Sequence, residues 1–231
     1  MGLDERQKAA VKAEREESFL LAVPEKRFLR WTAAKLPRWI LPDDMTALGV
    51  VAALAIAVAY QLSNDGSGWL WVASALLVVQ WVGDSLDGTL ARVRGIERPT
   101  YGYYLDHLVD AVATAVIGLG LGLSPFMLLA TGLAIVIAYL VLSINTYLET
   151  QAFGVFSLGY GRLGPTEARL GLIALNTAIA LGVGVQTTVA GLGVTVLDAI
   201  GLGAVALMLG GLLWRAARNL RVLAEREPYA A

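Results

Sequence analysis

Six long apolar stretches, separated by short polar or glycine-rich breaks, dominate the pattern of residues along this chain. Each stretch holds about 20 residues, the length at which an α-helix crosses the hydrocarbon core of a bilayer. The clearest breaks are the turn-forming run at 63–68 and Ser124-Pro125, and the weakest is the one at 186–193. The pattern therefore predicts six transmembrane helices, at about 44–62, 69–92, 103–123, 126–147, 166–185 and 194–214.

Composition supports this all-α membrane fold class. Hydrophobic residues make up 57% of the 231-residue chain and charged residues only 16%, which excludes an ordinary soluble globular domain. The chain has no cysteine, so disulfides, thiolate metal sites and cysteine nucleophiles are excluded as well. The first forty residues are charged and have no apolar core of signal-peptide type, so we expect no cleavage there.

The positive charges predict the orientation. All 18 lysine and arginine residues precede the first span, flank the connections after the second and fourth spans, or follow the sixth. The other three connections carry none. Since basic residues are retained on the cytoplasmic side, both termini are predicted to be cytoplasmic in an integral, multi-pass membrane protein.

The chain is expected to divide into four parts. Residues 1–23 form a charged cytoplasmic segment, 42–216 the six-helix transmembrane catalytic domain, and 217–231 a cytoplasmic tail. Residues 24–41 mix basic residues with large apolar ones, which favours an N-terminal amphipathic helix lying in the headgroup layer. A basic flank that only fixes the topology is the alternative reading. The apolar residues of this segment are Phe28, Leu29, Trp31, Leu36, Trp39 and Ile40.

Four carboxylates interrupt the second and third apolar stretches. Asp84 and Asp87 are three residues apart on one helix, and Asp106 and Asp110 are four apart on the next, so each pair lies on one helical face. An ionised carboxylate within a membrane costs about 2.5–3.5 kcal/mol on insertion scales, so the four require compensation. The short connection predicts that the two helices are antiparallel neighbours with a shared cleft.

Oxygen ligands without sulfur or clustered histidine favour hard cations. The acidic cluster therefore predicts two divalent cations, magnesium or manganese, which could bridge a pyrophosphate. Gly88 and Ala91 follow Asp87 on its helical face, and Gly102 precedes Asp106 on the other; all three leave room for a ligand near the backbone. Arg92 adds a guanidinium suited to phosphate oxygens.

These residues, spaced as Asp-x2-Asp-Gly-x2-Ala-Arg-x9-Gly-x3-Asp-x3-Asp over 84–110, resemble the signature of the CDP-alcohol phosphotransferases. The resemblance covers about residues 26–215 and implies a membrane enzyme of phospholipid synthesis with six transmembrane helices, usually a homodimer. Such an enzyme transfers a substituted phosphate from a CDP-linked donor to an acceptor hydroxyl and releases CMP. At least one of the two substrates is a lipid, and no nucleic acid is involved.

The resemblance also implies individual roles. Asp84, Asp87, Asp106 and Asp110 would be metal ligands, and Asp110 would also be the general base. The nucleotide would contact five further residues, Thr46, Gly88, Ala91, Arg92 and Gly102. Asp43 stands where the family usually has asparagine before Thr46, so a contact from that position is not carried over.

Two substrate branches remain open at this point. One uses CDP-diacylglycerol with a small polar acceptor, and the other uses CDP-choline or CDP-ethanolamine with diacylglycerol. Thr166-Glu167 resembles the second branch, whereas the short chain fits the first. The alternative from another class is a divalent-cation transporter whose ion path is formed by the intramembrane aspartates.

Overall fold

The computed structural model describes residues 22–153, 165–183, 186–189 and 192–228, and most of the predicted 1–23 segment lies outside them. Within these ranges the chain forms helices and one antiparallel hairpin. The helices are α1 (Ala22–Lys35), α2 (Pro42–Leu62), α3 (Trp69–Arg94), α4 (Pro99–Gly122), α5 (Leu129–Phe153), α6 (Pro165–Ala180) and α7 (Val196–Arg226). The hairpin strands are β1 (Gln186–Val189) and β2 (Leu192–Thr195), where the sequence predicts only a weak break.

Five of the predicted spans are long and apolar enough to cross a membrane: α2, α3, α4, α5 and α7. Helix α6 has 16 residues, or about 24 Å of length against a hydrocarbon core of about 30 Å. The prediction of an all-helical membrane domain is confirmed for the five long helices. The sixth span stays a prediction.

Helix α6 ends earlier than the predicted residue 185, and a glycine explains where. Gly182 has a φ of +89°, which a residue with a side chain rarely adopts. Its backbone N–H donates to the carbonyl of Ile179 at 2.9 Å, and the N–H of Val183 donates to that of Ala178 at 3.0 Å. These bonds close the last turn of α6.

The start of α5 and the end of α7 also differ from the prediction. Helix α5 begins at Leu129 rather than 126, because Asp198 Oδ1 accepts the Leu128 N–H at 2.8 Å and Thr195 Oγ1 donates to the Phe126 carbonyl at 2.5 Å. These tertiary bonds hold the backbone out of the helix. Helix α7 continues to Arg226, so no helix boundary coincides with the predicted start of the tail at 217.

Helix α2 is the centre of the bundle. It packs against both α3 and α4, α4 packs on α5, α5 packs on α7, and α3 also packs on α1 and α6. A Cβ atom on Gly83 would lie 2.6 Å from the Gly49 nitrogen and 2.7 Å from the Met45 carbonyl oxygen, so the backbones of α2 and α3 are in contact. Such small-residue contacts are typical of helix packing in membranes.

The two carboxylate-bearing helices share a cleft, as predicted, and α2 packs against both of them. Helices α3 and α4 are consecutive, but within the described chain α2 is the main packing partner of each. Their carboxylates face a shared cleft, and Thr46 and Gly49 of α2 form part of its lining.

Helix α1 is attached to the bundle by an apolar cluster. Leu29 and Ala33 of α1 are buried against Leu86 and Leu90 of α3. Phe28 stacks on Trp81 with ring centroids 6.0 Å apart. One side of α1 is therefore fixed to α3, next to the turn of α3 that carries Asp84 and Asp87.

Candidate active site

Three of the four predicted carboxylates meet at the site end of the bundle, defined as the end where α3 finishes and α4 begins. Asp84 projects from α3, and Asp106 and Asp110 project from successive turns of α4. One oxygen atom from each lies within 4.8 Å of the others. All three side chains are half-buried. Because their oxygens are so close together, they form a compact acidic cluster that one cation could contact.

Asp87 lies in the same cleft but faces α2. Its Oδ2 accepts a hydrogen bond from Thr46 Oγ1 at 2.7 Å, and its Oδ1 lies 2.5 Å from the following backbone nitrogen of Gly88. Thr46 is buried, so this bond places a side chain of the first long helix directly beside the acidic cluster. The contact explains why a threonine is useful at that position.

We call the space between these side chains the carboxylate cleft. Its lining combines four polar residues of the predicted site with α2 backbone and two further side chains. The lining residues are Thr46, Gly49, Gln80, Asp84, Asp87, Asp106 and Val109. The close approach of Gly83 to Gly49 fixes the distance between the α2 and α3 walls.

Arg169 of α6 reaches the cluster from the other side of α3. Its Nη2 lies 2.6 Å from Asp84 Oδ2, and the two side chains are only 19% and 18% exposed. Sequence reasoning took Arg169 only as a cytoplasmic charge, because nothing in the spacing shows that α6 packs next to α3. His107 Nδ1 lies 3.3 Å from Asp106 Oδ2 as a second contact, and Arg169 is the one arginine or lysine of the described residues that pairs with the cluster, so negative charge remains in excess.

Glu25 of α1 joins the two helices that carry this ion pair. Trp81 Nε1 donates to Glu25 Oε1 at 2.8 Å, and Thr166 Oγ1 donates to Glu25 Oε2 at 3.0 Å. Trp81 precedes Asp84 by three residues, and Thr166 precedes Arg169 by three. Helix α1 therefore braces α3 against α6 one turn from the Asp84–Arg169 contact.

The other predicted nucleotide residues lie towards the mouth of the cleft. A Cβ on Gly88 would lie 3.3 Å from Arg92 Nη1, so the guanidinium folds over that glycine. Arg92 is exposed and its Nη2 donates to Thr89 Oγ1 at 3.1 Å. Ala91 is half-buried, and Gly102 is exposed, with no described atom within 4 Å of a Cβ placed on it. Small residues thus leave this part of the surface open.

Asp43, which replaces the asparagine of the family signature, is paired with residues at the start of α4. Its carboxylate forms an ion pair with Arg98 at the start of α4, and Tyr101 Oη lies 3.4 Å from Asp43 Oδ2. The guanidinium of Arg98 also lies 3.9 Å from the centre of the Tyr101 ring. Asp43 therefore ties α2 to α4 at the mouth of the cleft.

Sequence reasoning also missed Gln80. It precedes Asp84 by four residues and lines the carboxylate cleft on the same face of α3. A single glutamine inside an otherwise apolar stretch, in phase with Asp84 and Asp87, was the available signal.

The cluster fits a divalent cation. It offers carboxylate oxygens within a few ångströms of each other, with no sulfur donor, which is the ligand set of magnesium and manganese. Asp87, one turn from Asp84, could supply a further oxygen to a second ion. The donor set therefore fits a divalent cation, whereas the number of ions and their identity stay predictions.

The chain is similar to known proteins both in sequence and in fold. The family model described as CDP-alcohol phosphatidyltransferase matches residues 39–215. A crystal structure of Mycobacterium tuberculosis phosphatidylinositol phosphate synthase, with CDP-DAG bound, superposes with a TM-score of 0.56. That match covers 81% of this chain and 89% of the other at 22% identity, so it demonstrates a shared fold.

Curated relatives include enzymes of both substrate branches. Cholinephosphotransferase 1 of Danio rerio is 25% identical over 168 residues, which is 68% of this chain and 42% of that protein. The CDP-diacylglycerol–serine O-phosphatidyltransferase of Encephalitozoon cuniculi is 30% identical over 57% of this chain and 36% of its own. The phosphatidylinositol phosphate synthase of Cutibacterium acnes is 33% identical over 39% of this chain and 41% of its own. The matches thus span about two fifths of the length of these relatives.

Proposed function

The chain belongs to the CDP-alcohol phosphatidyltransferase family, and we propose that it transfers a substituted phosphate from a CDP-linked donor to an acceptor hydroxyl, releasing CMP. The observation that carries the proposal is that carboxylate oxygens of Asp84, Asp106 and Asp110 lie within 4.8 Å of one another, inside the matched range. No observation favours the cation transporter, because the acidic cluster is confined to one end of the bundle and the family is one of transferases.

Asp84, Asp87, Asp106 and Asp110 are the proposed ligands of two divalent cations, magnesium or manganese. When bound, such ions offset the charge of a pyrophosphate and stabilise the leaving phosphate oxygen. The cluster contributes the oxygen ligands, and the brace formed by Glu25 keeps α3 and α6 in position beside it.

Asp110 is the proposed general base. Of the two carboxylates on α4, Asp110 lies farther from the start of the helix. It accepts the proton of the attacking hydroxyl. The hydroxyl oxygen then bonds to the phosphorus of the donor's substituted phosphate, and the bond from that phosphorus to the bridging oxygen breaks. CMP leaves with the bridging oxygen, so the proton stays on Asp110 until it is exchanged with solvent.

The mouth of the cleft is the proposed nucleotide pocket. Gly88, Ala91 and Gly102 leave room for the cytidine, and Arg92 binds phosphate oxygens. Thr46 lies beside the proposed metal ligands, since its hydroxyl donates to Asp87. A nucleotide held here presents its pyrophosphate to the acidic cluster.

The membrane arrangement is proposed on the same basis. Helix α6 would act as the sixth, shorter span, and α1 would lie in the headgroup layer, because it is fixed to α3 on one side and exposes Phe28 and Trp31 on another. The distribution of lysine and arginine supports a cytoplasmic site and cytoplasmic termini. A homodimer is proposed from the family resemblance alone.

Release of labelled CMP tests this function. The purified chain in liposomes receives magnesium or manganese and either CDP-diacylglycerol with glycerol phosphate, inositol phosphate or serine, or CDP-choline or CDP-ethanolamine with diacylglycerol. We expect cation-dependent CMP release with one donor class, abolished by EDTA. No release with any pair in either donor class, while the protein remains folded, contradicts the proposal.

A further inference from the structure

Gln80 is the one buried polar side chain of the described residues that carries an unpartnered atom. It is 3% exposed, and its Oε1 accepts no hydrogen bond from any described residue. The same side chain lines the carboxylate cleft next to Asp84 and Asp87. A buried amide oxygen without a hydrogen-bond partner is unfavourable in a protein, so the position of Gln80 indicates a bound ligand.

Gln80 lies deep in the bundle, away from the end of α3. Gln80 lies 14 residues before the end of α3 at Arg94, or about 21 Å along the helix axis. This distance places it well within the depth of a hydrocarbon core of about 30 Å. The missing donor therefore has to be something that the cleft holds.

The walls of the cleft contain acceptors rather than donors. Asp84, Asp87 and Asp106 accept hydrogen bonds when ionised, and Val109 has no polar side-chain atom. The hydroxyl of Thr46 is already directed at Asp87 Oδ2. An occupant that satisfies the whole lining must bring positive charge for the carboxylates and a hydrogen-bond donor for Gln80 Oε1.

We propose that Gln80 Oε1 accepts a hydrogen bond from a water molecule bound to a divalent cation at Asp84, and that this contact sets how tightly the cation binds. The inference rests on the cation site of the proposed function. Magnesium and manganese keep several bound waters, and each of these is a strong donor. Side chains four residues apart on a helix have Cβ atoms about 5–6 Å apart, and a metal-bound water spans about 5 Å between ion and acceptor.

Manganese binding to the purified full-length chain in detergent tests this role without turnover, by the electron paramagnetic resonance signal of free Mn²⁺. Gln80→Leu keeps the volume and removes the acceptor, and we expect the dissociation constant for Mn²⁺ to rise about 10–100-fold. Gln80→Glu keeps an acceptor oxygen and adds charge, so it should bind Mn²⁺ at least as tightly as the wild type. Gln61→Leu is the matched control, because Gln61 is exposed near the far end of α2.

Thermal denaturation in EDTA separates this role from a structural one. Gln80→Leu removes an unpaired acceptor, so it should be at least as stable as the wild type without metal. If the leucine variant does not fold, Gln80→Met, which is equally apolar and more flexible, carries the same comparison.

Three results would overturn the inference. If Gln80→Leu binds Mn²⁺ with wild-type affinity, the proposed contact of Gln80 with a metal-bound water is refuted, whether or not the variant is less stable. A change confined to the KM of donor or acceptor assigns the amide to a substrate instead. If the wild-type chain itself binds no Mn²⁺, the cation site of the proposed function fails, and this inference fails with it.

Discussion

Carboxylates lie wholly or partly inside the bundle at both of its ends, and their surroundings differ. At the end opposite the site, Asp198 is fully buried, and its oxygens accept from the backbone nitrogens of Leu128 and Thr195 at 2.8 and 2.9 Å and from Thr195 Oγ1 at 3.1 Å. At the site end, Asp84, Asp106 and Asp110 face one another, with one guanidinium in contact.

A second network near the opposite end follows the same rule as Asp198. Asn176 Nδ2 donates to Tyr60 Oη at 3.1 Å and to Ser74 Oγ at 3.3 Å, and Tyr60 Oη donates to Asn176 Oδ1 at 3.3 Å. These bonds join α2, α3 and α6 in the apolar core. The polar groups there satisfy one another's hydrogen bonds, so they stabilise the fold without a ligand.

The comparison separates two uses of a buried polar residue. A carboxylate whose oxygens are taken up by donors of its own chain stabilises a turn or a helix start, as Asp198 does. Carboxylates gathered around a space, with an unpartnered amide beside them, are arranged for something that enters that space. Residue type alone does not distinguish a carboxylate that stabilises the fold from one that belongs to a ligand site. The balance of hydrogen-bond donors and acceptors around the carboxylate does.

The largest expected effect is that of Asp110→Asn on turnover. Loss of the proton acceptor should lower the rate of CMP release by about 10²–10⁴-fold while most nucleotide binding is retained. The measurement is CMP release in liposomes together with CMP binding in detergent. A variant with wild-type turnover would refute the base assignment.

Asp198→Ala should show the reverse behaviour. It leaves the Leu128 and Thr195 N–H groups without their acceptor, so the free energy of unfolding should fall by about 1–3 kcal/mol. Thermal denaturation in detergent measures this loss, and CMP release per folded molecule should stay at the wild-type rate. Lost turnover with unchanged stability would break the distinction between the two ends.

Arg169→Met should produce a smaller effect on metal binding. Removing the guanidinium from Asp84 frees that carboxylate, so Mn²⁺ should bind about tenfold more tightly, equivalent to about 1.4 kcal/mol. Arg221→Met, an exposed position on α7, is the control. Weaker Mn²⁺ binding in the Arg169 variant would mean that the arginine shapes the cation site instead of competing for it.

Much of this arrangement follows from local patterns in the sequence. Helix length and the i, i+3 and i, i+4 spacing of the aspartates fix five long helices and the faces on which Asp84, Asp106 and Asp110 lie. These features depend on the chain within a few turns of each residue.

Other features depend on contacts between distant segments, and sequence patterns did not reveal them. The later start of α5 follows from Asp198, 70 residues away from Leu128 along the chain. The Arg169–Asp84 ion pair requires that α6 packs on α3, and the brace at Glu25 requires α1 to reach both. Gln80 was visible as a polar residue, but its missing partner emerges only from the packed structure.

Anomalous scattering at the manganese edge, from crystals of the full chain grown with Mn²⁺, tests the central claim most directly. We predict two peaks within about 2.5 Å of carboxylate oxygens from the set Asp84, Asp87, Asp106 and Asp110, and none at Asp198. Occupied manganese at Asp198, or the absence of any peak among the four clustered aspartates, would contradict the account.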